Sequence, residues 1–141
     1  IYAAMLAYRR WALENTVSFQ LIFGNPIPGY AAPEDVTVPA ASKMGEVFME
    51  NIAAALQMGE FTLPSSYHHV PPTIAAHYQQ RFHLPNERLP AFNMMNQMWS
   101  AMHGAVALEV YNHIGPVVDD TDAFYADMVR GLMTSFGASL D

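Results

Sequence analysis

The chain has 141 residues, of which 52% are hydrophobic and 13% charged, with no cysteine and a formal net charge of −7. Such an apolar composition excludes a disordered chain, and the lack of cysteine excludes disulfides, thiolate catalysis and Cys-ligated zinc while leaning mildly towards a cytoplasmic protein. Thirteen acidic residues against six basic ones argue against a phosphate-binding surface, because nucleic-acid affinity rests on clustered Lys and Arg.

The charged fraction is about half of the roughly 25% of an average soluble domain, so part of the surface is expected to face a partner. One domain over residues 1–141 fits this length. No signal-peptide pattern opens the chain. Ile1 to Leu13 reads as helix interior with no capping residue ahead of it, so an earlier part is expected to lie outside this sequence. Its Met5, Tyr8, Trp11 and Ala12 share one face, with Arg9, Arg10 and Glu14 off it. Thr16 is placed to cap a short second helix carrying Phe19, Leu21, Ile22 and Phe23, ended by Gly24 and Pro26. Pro26, Pro28, Pro33 and Pro39 fix too many φ angles for a regular element over 24–39, and this stretch reads as a loop anchored by Ile27 and Tyr30.

Pro39 suits a first helical turn, so a third helix is predicted from Pro39 to Gly59. Its apolar face carries Met44, Val47, Phe48, Ile52, Ala55 and Leu56. A connector over Glu60 to Pro72 precedes a short helix, Thr73 to Phe82, closed by Pro85. The longest helix is predicted from about Glu87 to His113, stopped by Gly115 and Pro116. Within it, Leu89 to Leu108 carries no charge over a span long enough for a bilayer, yet Pro90, Asn93, Asn96, Gln97, Ser100 and His103 argue against insertion. Asp119, Asp120 and Thr121 suit the start of a last helix reaching about Gly137. That helix has two apolar stripes, Phe124, Met128, Gly131 and Leu132 on one and Tyr125, Val129, Leu132 and Phe136 on the other. It therefore needs cover on two sides, one of them expected from a second subunit. No segment alternates with period two, and the predicted fold is all-α.

Chemistry is weakly signalled. Glu109 and His113 have the spacing of a helical metal pair, but no second pair completes a site. Asp119, Asp120 and Asp122 resemble a magnesium-binding cluster, for which helix capping is the simpler account. His68 and His69 read as solvated in a Pro-rich loop. No nucleophile elbow or phosphate-cradling glycine loop occurs, so no catalytic residue, cofactor or native metal is expected. On the long helix Asn93, Asn96, Gln97, Ser100 and Gly104 form an uncharged polar face beside Phe92, Met95, Trp99, Met102 and Val106. This suits an amphipathic ligand or a face that meets water or a partner. A mid-helix Gly104 implies close helix approach, and His103 is expected to make a structural hydrogen bond rather than touch a ligand.

Two segments, Tyr8 to Glu34 (YRRWALENTVSFQLIFGNPIPGYAAPE) and Trp99 to Glu109 (WSAMHGAVALE), resemble the C-terminal ligand-binding and dimerisation domain of TetR-type transcriptional regulators, in the subgroup marked by Trp99, His103 and Gly104. Residues 60–86 carry least of the likeness. The resemblance implies an antiparallel helical bundle that follows a helix-turn-helix DNA-binding domain, absent from this chain. It also implies a homodimer in which the last two long helices of each subunit make an intersubunit four-helix bundle. On that basis Val106, Val110, Phe124, Met128, Gly131 and Leu132 are candidates for the dimer interface. Trp11, Phe48, Ile52, Asn96, Trp99, Met102 and His103 are candidates for a pocket taking a small hydrophobic or amphipathic effector, with DNA contacted only through the missing domain and no membrane. Effector and operator would then disfavour each other. The alternative reading is a small helical enzyme or carrier for a hydrophobic substrate, its metal held by Asp119, Asp120 and Asp122 or by Glu109 and His113.

Overall fold

A computed structural model describes residues 1–25, 28–31 and 33–138. The described residues form α-helices with no strand, so the fold is all-α: α1 (Tyr2–Glu14), α2 (Thr16–Phe23), α3 (Glu34–Met58), α4 (Pro72–Phe82), α5 (Leu89–Val110), α6 (Gly115–Val118) and α7 (Thr121–Ser135), with 3-10 turns at Ser65–Tyr67 and Asn86–Arg88. One isolated bridge joins Phe61 to Ala138.

The 3.6-residue period seen in the sequence decides what is buried. Met5, Tyr8 and Ala12 turn inward from α1 and meet Phe48 and Ile52 of α3, Met94, Met95, Met98, Met102 and Val106 of α5, and Tyr125, Val129 and Met133 of α7 in one continuous core. Much of it is methionine, whose unbranched side chain fills irregular gaps between helices. The Tyr125 hydroxyl, buried with its ring, donates to the Met5 carbonyl at 3.1 Å.

Several predicted boundaries move. Thr16 does not cap α2; Asn15 is the N-cap, with no side-chain bond, and breaks the backbone at φ −128° between α1 and α2. On α2 only Phe19 is buried, while Leu21 and Ile22 are 79% and 62% exposed. Tyr30 is exposed rather than buried as an anchor would be; Pro26 and Ile27 lie outside the described residues. The third helix starts at Glu34 and holds Pro39 in its interior rather than at its start. A proline there removes one donor, and the first turn is secured by Thr37, whose amide and hydroxyl both donate to the Pro33 carbonyl. Val47, assigned to the apolar face of that helix, is 50% exposed.

The helix predicted to be the longest is shorter than expected at both ends, because 86–88 is a separate 3-10 turn and α5 stops at Val110; at 22 residues it is exceeded by α3 with 25. Asn112, at φ 57°, takes the left-handed position that the sequence assigned to Gly115. The amides of Asn112 and His113 then return to the carbonyls of Glu109 and Leu108, a Schellman closure. Gly115 and Pro116 open α6 instead of ending α5. The last helix begins as expected, with Asp120 Oδ1 accepting from the Ala123 amide at 2.9 Å, and ends at Ser135, two residues short of Gly137, which sits at φ 90°.

Candidate ligand and subunit interfaces

Three arrangements of side chains follow from how α5 lies between α1, α3, α4 and α7. The first is an aromatic cluster around His103. Its ring stacks on Trp99 with centroids 4.9 Å apart and on Phe19 at 5.4 Å, and meets the edge of Phe23 at 4.7 Å. The Tyr8 hydroxyl lies 2.7 Å from His103 Nδ1. Burial lowers the His103 pKa below 6.5 and raises that of Tyr8, so a neutral imidazole pairs with a protonated phenol, the donor being set by the imidazole tautomer. His103 thus makes a side-chain hydrogen bond to a residue of α1. Trp11 and Trp99 pack against this cluster at intermediate exposure, and Tyr8 meets Trp99 edge-on at 5.3 Å.

The second is an ionic hub at Arg9. Its guanidinium grips Glu109 through two bonds of 2.6 Å, reaches Asp122 at 2.7 Å, and lies 5.2 Å from the ring centroid of Tyr125. Arg9 and Glu109 are nearly enclosed, with side-chain exposures of 12% and 11%, whereas Asp122 is 87% exposed. Burial alone would raise the Glu109 carboxyl, but hydrogen bonds from Arg9 and Thr121 and the Arg9 charge hold it below 4.5. Local spacing carries no sign of this hub, since the position of Arg9 on α1 only places it off the core face. The hub also takes Glu109 and Asp122 away from metal binding, and Asp120 is occupied as a cap. Among the described residues no group of three or more His, Asp or Glu side chains is placed to hold an ion.

The third arrangement is a pair of openings on α5. An apolar groove of about 560 Å³ runs between α5 and α7, lined by Ala101, Gly104, Ala105 and Leu108 on one wall and Phe124, Met128, Gly131 and Leu132 on the other. Four of the six residues expected at a dimer interface meet here. Val106 does not, being 0% exposed in the subunit's own core, and Val110 packs against that core. Gly104 is not approached by another helix among the described residues: nothing beyond its own helical turn lies within 4 Å of where its Cβ would stand.

A second opening of about 630 Å³ lies between α4 and α5, bounded by Pro71, Ile74, Tyr78, Asn93, Asn96, Gln97, Ser100 and Ala101. Of the seven residues expected in an effector pocket, only Asn96 lines it. Phe48, Ile52 and Met102 are 6%, 0% and 1% exposed and fill the core, and Trp11, Trp99 and His103 belong to the aromatic cluster. Tyr78 of α4 closes one side of this opening: its ring meets Phe92 edge-on at 4.8 Å, and its hydroxyl donates to Asn93 Oδ1 at 3.4 Å.

The amino-acid sequence has a match among known proteins. The sequence profile described as "Tetracyclin repressor-like, C-terminal domain" covers residues 1–132. The chain belongs to this family of TetR-type regulators. Relatives include the HTH-type transcriptional regulators Rv1816 and MT1864 of Mycobacterium tuberculosis (strains H37Rv and CDC 1551) and Mb1846 of Mycobacterium bovis. Each is 29% identical over 118 residues, covering 82% of this chain and 49% of the relative. The chain therefore spans about half the length of the curated relatives it matches. The family is one of regulators rather than enzymes, which removes the ground for the enzyme or carrier alternative. Among the described residues no helix is long and apolar enough to cross a membrane.

Proposed function

We propose that this chain is the effector-binding and dimerisation domain of a TetR-type transcriptional regulator, one domain over 1–141, joined in the intact protein to an N-terminal helix-turn-helix segment that reads DNA. The observation that carries the reading is the uncharged α5–α7 groove. Its helices are each buried on one side by their own core and open on the other, and the family works as DNA-binding dimers. An apolar groove with Leu108 45% and Phe124 39% exposed is costly in water, and a second copy related by a twofold axis would cover it with the same face. Such a regulator would act in the cytoplasm. A small, largely apolar effector would bind the domain and disfavour DNA binding by shifting the separation of the two reading heads.

The domain is expected to sediment as a dimer at micromolar concentration; a clean monomer there would remove the dimerisation half of the proposal. In the intact protein, retardation of DNA from the region upstream of its own gene should be relieved by hydrophobic compounds that raise the melting temperature of the domain. Retention of DNA at saturating compound would remove the effector half.

A further inference from the structure

We infer that the α4–α5 groove is a binding site for a neutral amphipathic small molecule, with Asn93, Gln97 and Tyr78 reading an uncharged carbonyl or hydroxyl head and Ile74 and Pro71 carrying its apolar body. This inference rests on the effector-binding reading and gives that effector a place and a chemical class. The groove holds about 630 Å³, within the range of small-molecule sites.

Asn93 supplies the observation that points to a ligand. It is 7% exposed, the one polar residue in the buried set of the described residues, and a buried amide is costly unless its hydrogen bonds are made. Its oxygen receives only a long bond from Tyr78 at 3.4 Å, and its Nδ2 has no partner among the described residues. No fully enclosed side-chain nitrogen or oxygen there lacks a partner, so this Nδ2 keeps its residual access, and Asn93 lines the groove. Exchanging the amide's nitrogen and oxygen changes nothing, since Tyr78 engages one end in either case. The neighbouring Asn96 is already used, its Nδ2 donating to the Phe92 carbonyl at 2.9 Å.

No charged side chain lines this opening. A carboxylate or ammonium entering it would shed water without meeting an opposite charge, whereas a neutral amide or alcohol would exchange water for the Asn93 and Gln97 amides at little cost. The apolar side is available: Ile74 is 38% exposed beside Pro71.

The test uses octanamide, octanoate and octylammonium at equal concentration, followed by calorimetry and thermal shift on the purified dimer. Octanamide should bind, both ions should bind at least about tenfold more weakly, and Asn93→Leu and Gln97→Leu should each weaken octanamide by about fivefold, the loss of a neutral hydrogen bond. Gln97 is exposed, so its substitution reports on the site even where Asn93→Leu disturbs folding. Octanamide binding that survives both substitutions overturns the groove and leaves effector binding standing elsewhere. Equal binding of all three probes, or of none, overturns the ligand class, and the DNA-release experiment then judges the effector reading separately. Ser100 and Ala101 also border the α5–α7 groove, so a change in sedimentation with Gln97→Leu would make this face a subunit contact and overturn the inference.

Discussion

His103 is held between three aromatic rings as a neutral imidazole, and this makes the domain sensitive to mild acid. In the unfolded chain the ring titrates near its ordinary 6.5, and in the folded chain burial puts it lower. As pH falls below 6.5 the unfolded state therefore takes up a proton before the folded one, and stability declines until the pH is under the folded value as well. Glu109 has the same sign in a separate window: held below 4.5 by Arg9, it contributes stability that is fully present above 4.5 and is lost as pH falls through its folded pKa. The melting temperature, followed by far-ultraviolet circular dichroism, should decline in two stages, the first starting near neutrality. His103→Gln should flatten the first stage and keep the second; a first stage unchanged in that variant would place its cause elsewhere. That His103 would need a hydrogen-bond partner was legible because a ring one turn from Trp99 in an apolar helix has few polar neighbours. Its partner was not legible, since Tyr8 lies 95 positions away and only folding brings them together. The same distance in sequence hid the Arg9 hub, and Asn93 read as one more member of a polar stripe until α4 closed over it.

At the scale of elements, Arg9 fastens α1 to α5 and α7 at once. Arg9→Met would leave the Glu109 carboxylate nearly enclosed without its partner, a loss expected to be about 2–3 kcal/mol, towards the low side for a buried pair because Asp122 is exposed. Arg9→Lys keeps the charge but not the two-pronged grip and should cost less. Glu109→Gln added to Arg9→Met should recover part of the loss by removing the stranded charge. Urea denaturation of the three variants measures this, and a loss under about 0.5 kcal/mol for Arg9→Met would reduce the hub to an ordinary surface pair. A second element-scale expectation concerns Gly137, whose φ of 90° and approach to the Thr62 carbonyl oxygen leave no room for a Cβ. Gly137→Ala should destabilise by about 2 kcal/mol by strain and by detaching the Phe61 segment from the end of α7; a stability within about 0.5 kcal/mol of the parent would mean that the segment yields freely. Helix existence and inward faces were legible from periodicity, which reflects burial directly. Helix ends were not, because each was decided by a local competition. Glu34 to Val38 formed helix despite Pro39, which costs one donor, and Asn112 adopted the left-handed turn three residues before the glycine that seemed made for it.

For the whole molecule, low charge and the open α5–α7 groove bear on the same question. Gly104 and Gly131 stand inside helices, where glycine costs about 1 kcal/mol relative to alanine, and among the described residues nothing beyond their own helical turns lies within 4 Å of either missing Cβ. Within a lone subunit alanine would serve better at both positions. Close approach of a second copy gives these glycines a use, as small residues let helix backbones come together in the groove. Gly104→Leu should therefore strengthen the helix yet halve the sedimenting mass, by filling the space the partner's α5 or α7 needs. Leu132→Glu should do the same by placing a charge against an apolar partner. Leu21→Glu is the control: it puts the same charge on the exposed face of α2, 79% open to water, and should leave the dimer intact. Sedimentation equilibrium on the three variants separates the cases. Were Leu21→Glu the variant that dissociates, the subunit seam would lie on the Val17, Leu21 and Ile22 face. The α5–α7 groove would then be open in the dimer, and its glycines would need another explanation.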